Sequence, residues 1–230
     1  MSDDIFSCSE CRQAALCTQR EFAFAKFSLV SRILPQRGIT MEKQKKIYLA
    51  EDGNLKMRPL TLEDSQIIVD WRNNPRVQSR YIYREKFTLE GQQRYFHEKV
   101  ESGKVAQFIF CEERKCGDGA RLDVPIGCAV LDDIHPQYAE CGDWIGEDSA
   151  IGKGYSARMI RMTCDYGFRV LGLSDIVCRI FEDNPASRKG YERAGFRIAG
   201  ILPRVECTDG AHKDMYFLRL KREDYGYEGK

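Results

Sequence analysis

Three groups of residues have types and spacings that could do chemistry. Gly152-Lys153-Gly154-Tyr155-Ser156 sets two glycines at the start of a helix-forming run. Glycine lets a backbone approach a ligand closely, and the free N–H groups of a first helical turn suit a pyrophosphate. A plain tight turn would use the same glycines, so the surroundings must decide. Trp71-Arg72-Asn73, followed by Tyr81, Tyr83 and Phe87, is an aromatic and polar cluster able to stack on a sugar ring or another flat substrate, with helix packing as the alternative use of Trp71. Cys8, Cys11 and Cys17 form a C-x2-C-x5-C cluster. That is part of a zinc or iron–sulfur signature, but no fourth ligand is evident nearby. It is a weak metal candidate beside a functionally silent extension.

Composition limits what these groups can serve. A chain of 230 residues holds one ordinary domain with an extension, or two small ones, and can bury a genuine core. Lys plus Arg number 36 against 35 for Asp plus Glu, so no net field favours nucleic acid. No apolar run approaches the ~20 residues of a membrane span, and the acidic start MSDDIFSCSE is unlike a secretory signal. The expected address is the cytoplasm. In a reducing compartment the remaining cysteines, Cys111, Cys116, Cys128, Cys141, Cys164, Cys178 and Cys207, are expected to fill core positions.

The elements that must position the glycine loop begin near residue 55. Before it lie the cysteine cluster, a short helical stretch and a basic run, read together as an N-terminal extension over 1–54; Met41 offers a second start. Leu55–Leu60 reads as a strand, and Thr61 with Asp64 as a capping-box-like helix start. That helix carries Leu62, Ile67, Ile68 and Trp71 and stops before Pro75. Thr88–Ser102 is a second helix. Val105–Glu112, Val124–Asp132 and Tyr138–Glu147 form an antiparallel meander. After the glycines, Tyr155, Met159, Met162, Tyr166 and Val170 mark the apolar stripe of a helix ended by Gly172. Asp175–Phe181 is a strand. Asn184-Pro185 supplies an N-cap and first-turn proline for a helix closed by Gly195, and strands at Arg197–Glu206 and Lys213–Leu220 follow. The order is β-α-α-β-β-β-α-β-α-β-β. The domain runs over 55–222, with a tail at 223–230. A doubly wound dinucleotide site would want a longer glycine motif and a different strand order; a Walker loop would want Gly-Lys-Ser/Thr. Neither is present.

With this element order, Tyr138–Phe196 resembles the GNAT superfamily of N-acetyltransferases. That family's loop, Q/R-x-x-G-x-G/A, falls on Ile151-Gly-Lys-Gly154-Tyr-Ser156, with Ile151 in place of the usual Gln or Arg and Ser156 in place of Gly or Ala. The passage from Asn184 through Tyr191-Glu-Arg-Ala-Gly195-Phe196 resembles its N-x-x-(S/A)…YEKxGF signature. The resemblance implies an α/β (α+β) fold: one domain with a mixed, splayed central sheet flanked by helices. It implies acetyl-CoA as cosubstrate and no metal in catalysis. Gly152, Gly154 and Ser156 would hold the pyrophosphate, with Tyr155 in the same turn and Lys153 as an electrostatic helper. Asn184 would contact the pantetheine, and Arg188 or Lys189 the coenzyme phosphates, a solvated helix face being the other use of those two bases. Tyr191 matches the position of the family's general acid. Glu140, on the strand before the loop, is the candidate base; Asp143 lies on the other face of that strand.

The front half would bind the acceptor through Trp71, Arg72, Asn73, Tyr81 and Tyr83. WRN followed by YFHE resembles amino-sugar acetyltransferases, and also the ribosomal-protein N-terminal and, more distantly, spermidine acetyltransferase groups. The expected acceptor is a small primary amine, such as a nucleotide-linked amino sugar. A protein N-terminus or a polyamine is the alternative, and a non-catalytic CoA-binding regulatory module the alternative of another class. For a polyamine, Glu112-Glu113 and Asp132-Asp133 are available carboxylates. The expected partners are that amine and a second copy of the chain as a homodimer, with no nucleic acid and no membrane.

Overall fold

Short alternating segments set the frame of the molecule. The computed structural model describes residues 47–226 except residue 118; the cysteine cluster at 8–17 lies outside the described residues. β1 (Ala50–Asp52) turns back through Gly53, whose φ of 55° suits glycine, to pair with β2 (Leu55–Pro59). The antiparallel run continues through β3 (Ala106–Lys115), β4 (Arg121–Asp132) and β5 (Tyr138–Ile145). β6 (Asp175–Phe181) then lies parallel to β5, and β8 (His212–Lys221) separates β6 from the edge strand β7 (Arg197–Glu206). The eight strands run β1-β2-β3-β4-β5-β6-β8-β7 in one sheet.

A parallel neighbour needs a crossover, and α4 (Tyr155–Tyr166) provides it. Before it come α1 (Ser65–Asn73), α2 (Pro75–Gln78) and α3 (Leu89–Tyr95); α5 (Pro185–Arg193) follows β6. The start of α1 uses the expected Thr61/Asp64 exchange. Asp64 accepts from the Thr61 backbone N–H at 2.9 Å and also receives both arms of Arg58, at 2.6 and 2.7 Å.

Side-chain alternation sends residues to two different cores. Phe108, Phe110, Ala129, Leu131, Ala139 and Cys141 pack under Met159 and Ile160 of α4 and Tyr191 of α5. Ile109, Cys111, Cys128 and Trp144 face the other way, under Ile68 and Trp71 of α1. β3 is therefore buried on both faces and reads as a nearly unbroken apolar run.

Three details depart from the sequence expectations. β1 and α2 were not anticipated; β1 is three residues long and mostly exposed, so it has no apolar signature. Cys116 is exposed, unlike the other six described cysteines, which are buried. Val170 leaves the apolar stripe and is 41% exposed. The end of that helix widens into a π-type turn over Gly167–Leu171, which shifts its phase and rotates Val170 outward. Among the described residues, no helix is long and apolar enough to cross a membrane.

Candidate active site

β5 and β6 pair only at Tyr138↔Asp175, Ala139↔Ile176 and Glu140↔Val177. Beyond that point the strands part, leaving Cys141–Ile145 with a ladder partner on the β4 side alone. The apex of the gap is fastened by Glu140, which accepts from Arg179 Nε at 2.8 Å and Nη2 at 2.7 Å. Both oxygens of the carboxylate expected to act as base are thus engaged by one guanidinium.

Two phenols meet the β5 backbone at this gap from opposite faces. Tyr191, buried in α5, donates to the Cys141 carbonyl at 3.2 Å. Tyr81, from the segment before α3, donates to the Asp143 carbonyl at 3.2 Å. Carbonyls two residues apart on a strand point the same way, so the two hydroxyls mark successive backbone acceptors. Burial, reinforced by the neighbouring Cys141 and Asp143 side chains, holds the Tyr191 phenol well above its ordinary pKa; it keeps its proton at neutral pH. Asp143 lies on the Tyr191 side, as its strand alternation requires. Burial pushes its carboxyl up to about 6, against the opposing hydrogen bonds from Ser156 and Tyr191. Ser156 Oγ donates to it at 2.9 Å. A Cβ on Gly190 would stand 2.9 Å from that same Oγ, so glycine is what lets α5 approach α4 here.

The glycine loop is left-handed at both of its glycines. Gly152 and Gly154 have φ of 78° and 79° with open space where a side chain would stand, and Gly154 caps α4 without any side-chain cap. The first amides of α4 therefore have no capping partner from a side chain. Tyr155 turns inward: its hydroxyl accepts from Asn54 at 2.9 Å and donates to Glu112 at 2.5 Å. Glu112 also accepts from Arg114 at 2.6 Å and from Lys153 at 3.4 Å. Burial raises this carboxyl, but the Tyr155 and Arg114 hydrogen bonds outweigh it and hold Glu112 below its ordinary value. Tyr155 and Lys153 are thus anchored to β3. Arg76 ties down the approach to the loop through the Ile145 and Gly146 carbonyls, at 3.1 and 3.0 Å, and through Asp148. Ile151 is exposed. Asn184 caps α5 by accepting from the Ser187 N–H at 3.3 Å. Arg188 lies 3.6 Å from Glu192 and over the Tyr216 ring, while Lys189 is exposed.

On the opposite face the expected acceptor residues divide. Arg72 and Tyr81 come together with Phe87 and Trp144, the guanidinium lying 3.7 Å from the Tyr81 ring centre. Trp71 is buried, donates to Glu147 at 2.8 Å, and lies where any Cβ on Gly146 would collide with its ring. Asn73 is occupied with the backbone of Phe87, donating at 2.9 Å and accepting at 2.8 Å. Tyr83 is 66% exposed and stands apart from them. Glu140–Arg179, Asn73–Phe87, Asn54–Tyr155 and the Arg76 anchor were not anticipated; each joins residues distant in the chain and has no local signature.

Comparison with known proteins agrees with this architecture. An acetyltransferase (GNAT) domain model matches residues 54–197. The chain is 25% identical over 177 residues to an uncharacterized N-acetyltransferase, p20, of Bacillus licheniformis, covering 74% of this chain and 94% of that protein. It is 24% identical over 182 residues to spermidine N(1)-acetyltransferase of Escherichia coli (strain K12), covering 77% and 91% respectively. A solved spermidine N-acetyltransferase from Vibrio cholerae, in complex with CoA and spermine, has the same fold, with a TM-score of 0.66, 21% identity, and coverage of 76% of this chain and 99% of that one. The glycine loop, the parted strands and the domain match together place the chain in the GNAT acetyltransferase family, as an acetyl-CoA-dependent N-acetyltransferase.

Proposed function

We propose that the chain transfers the acetyl group of acetyl-CoA directly to a primary amine of a small molecule, in the gap between β5 and β6. The observation that carries this reading is the stretch Cys141–Ile145 of β5, which has no ladder partner on the β6 side and is followed in the chain by the N-terminus of α4, which has no side-chain cap. A strand-like pantetheine arm would add to β5 by main-chain hydrogen bonds. The amides of Gly152, Gly154 and Ser156 would meet the pyrophosphate, with Lys153 adding charge. Asn184 spends its carbonyl oxygen on the α5 cap and retains its amide N–H groups for the coenzyme, with Arg188 and Lys189 on the same helix.

Bound acetyl-CoA supplies an acyl group activated as a thioester. The amine must arrive unprotonated, and its proton leaves toward solvent as the C–N bond forms. The C–S bond then breaks, and Tyr191, protonated at neutral pH and placed at the gap, gives its proton to the departing sulfur and regains one from the solvent that took the amine proton. Glu140 fastens the apex, both of its oxygens held by Arg179.

The relatives' names support a polyamine as the second acceptor reading. The aromatic cluster of Tyr81, Phe87 and Trp144 supports a ringed acceptor. One related Vibrio cholerae structure is described as dodecameric, which supports self-association of this chain without favouring a dimer. The test is thiol release from acetyl-CoA across amino sugars, polyamines and peptides with free N-termini. Release that requires an added primary amine is expected; no release with any of them would remove the reading.

A further inference from the structure

The molecule buries two arginines in the α1 region and treats them differently. Arg58, 4% exposed, has both arms on Asp64. Arg72, 7% exposed, has no carboxylate partner among the described residues, while the Nε of both arginines is sealed without a hydrogen bond. Its guanidinium is instead surrounded by rings, with Tyr81 at 3.7 Å, Phe87 at 4.5 Å and Trp144 at 5.5 Å.

An arginine cannot relieve this burial by losing its proton. Desolvation of an ion is costly, and a desolvated cation over aromatic rings recovers only part of that cost. The Cys128 thiol, which senses the Arg72 charge, is pushed upward by burial and stays neutral. The cage is nevertheless built with care. The Asn73 amide grips both backbone groups of Phe87. Tyr81, packed edge-on against Trp144, donates to the Asp143 carbonyl at the gap. The positive charge is thus one phenol away from the backbone where the coenzyme arm would lie, on the face opposite Tyr191.

We infer that Arg72 is the anion-recognition residue of the acceptor site, and that the acceptor is an amine carrying its own phosphate or carboxylate a short distance from the nucleophilic nitrogen. This rests on the acetyltransferase reading above and deepens it. A polyamine would bring positive charge toward Arg72 and gain nothing from it; an anionic amine would supply the missing counter-ion with charge-assisted hydrogen bonds.

The experiment compares glucosamine 6-phosphate, glucosamine, 4-aminobutyrate and spermidine as acceptors in thiol release by the full-length chain. A kcat/KM higher by about 10- to 100-fold for an anionic amine than for glucosamine is expected, the range that one charge-assisted contact provides. The two anionic probes separate phosphate from carboxylate. In Arg72→Met, which keeps the stacked stem, that preference should collapse through KM, with CoA affinity by calorimetry reporting that the fold is intact. Equal or better use of glucosamine or spermidine by the wild-type chain overturns the inference, even if Arg72→Met fails to fold. So does a Met variant that slows every amine equally. Failure of the parent reading is distinguishable, because then no amine at all releases thiol.

Discussion

The two faces of the parted sheet are built by different means. The face proposed for the coenzyme is largely backbone: two left-handed glycines, a helix start without a side-chain cap and two strand carbonyls. The face proposed for the acceptor is side chains held by other side chains, with Arg72 under three rings and Asn73 clamping Phe87. A backbone site accepts any chain that folds this way, so it suits a coenzyme that is always the same. A side-chain site can be rebuilt residue by residue, so it is where specificity resides.

That contrast can be broken most sharply at Tyr191. Tyr191→Phe should lower kcat by about 10²-fold, the lower range for a positioned proton donor, and leave the preference among acceptor amines unchanged. Steady-state rates with two amines check both halves, and a variant whose acceptor preference moved as much as its rate would merge the two faces. A smaller effect is expected at Asp143. Its folded-state pKa is raised from 3.8 to about 6, by burial, so the folded chain holds this proton more tightly than the unfolded one. The stability this contributes is complete below about 3.8 and is lost as pH rises through about 6. Melting temperatures across that window should fall less steeply in Asp143→Asn than in the parent. Identical slopes would show that the enclosed carboxyl does not titrate there.

Legibility in the sequence follows the same division. The loop at Gly152–Ser156, the cap at Asn184 and the helix carrying Tyr191 are contiguous patterns, because backbone conformation is dictated locally. The strands of the central meander were visible for the same reason, although charged ends extend β3 to Lys115 and start β4 at Arg121. Those ends are joined by Lys56–Glu113, Lys56–Asp123 and Arg121–Glu113 contacts of 2.9, 3.0 and 2.8 Å, which no local alternation announces. The acceptor face was harder. Trp71-Arg72-Asn73 is adjacent in sequence, yet its members have three tasks: packing on Gly146, holding a buried charge, and gripping Phe87. Glu140 read as the candidate base because its partner, Arg179, is on the next strand of the chain, beyond the whole of α4. Such pairings are properties of the assembled sheet.

Coenzyme and amine are proposed to meet in the gap and react directly. Cys141 lies there beside Tyr191, so an acetylated enzyme is the chemical alternative. Initial rates of thiol release, with acetyl-CoA and the preferred amine both varied, decide between them. Double-reciprocal lines that intersect are the predicted result; parallel lines, with thiol released before any amine is added, would contradict direct transfer.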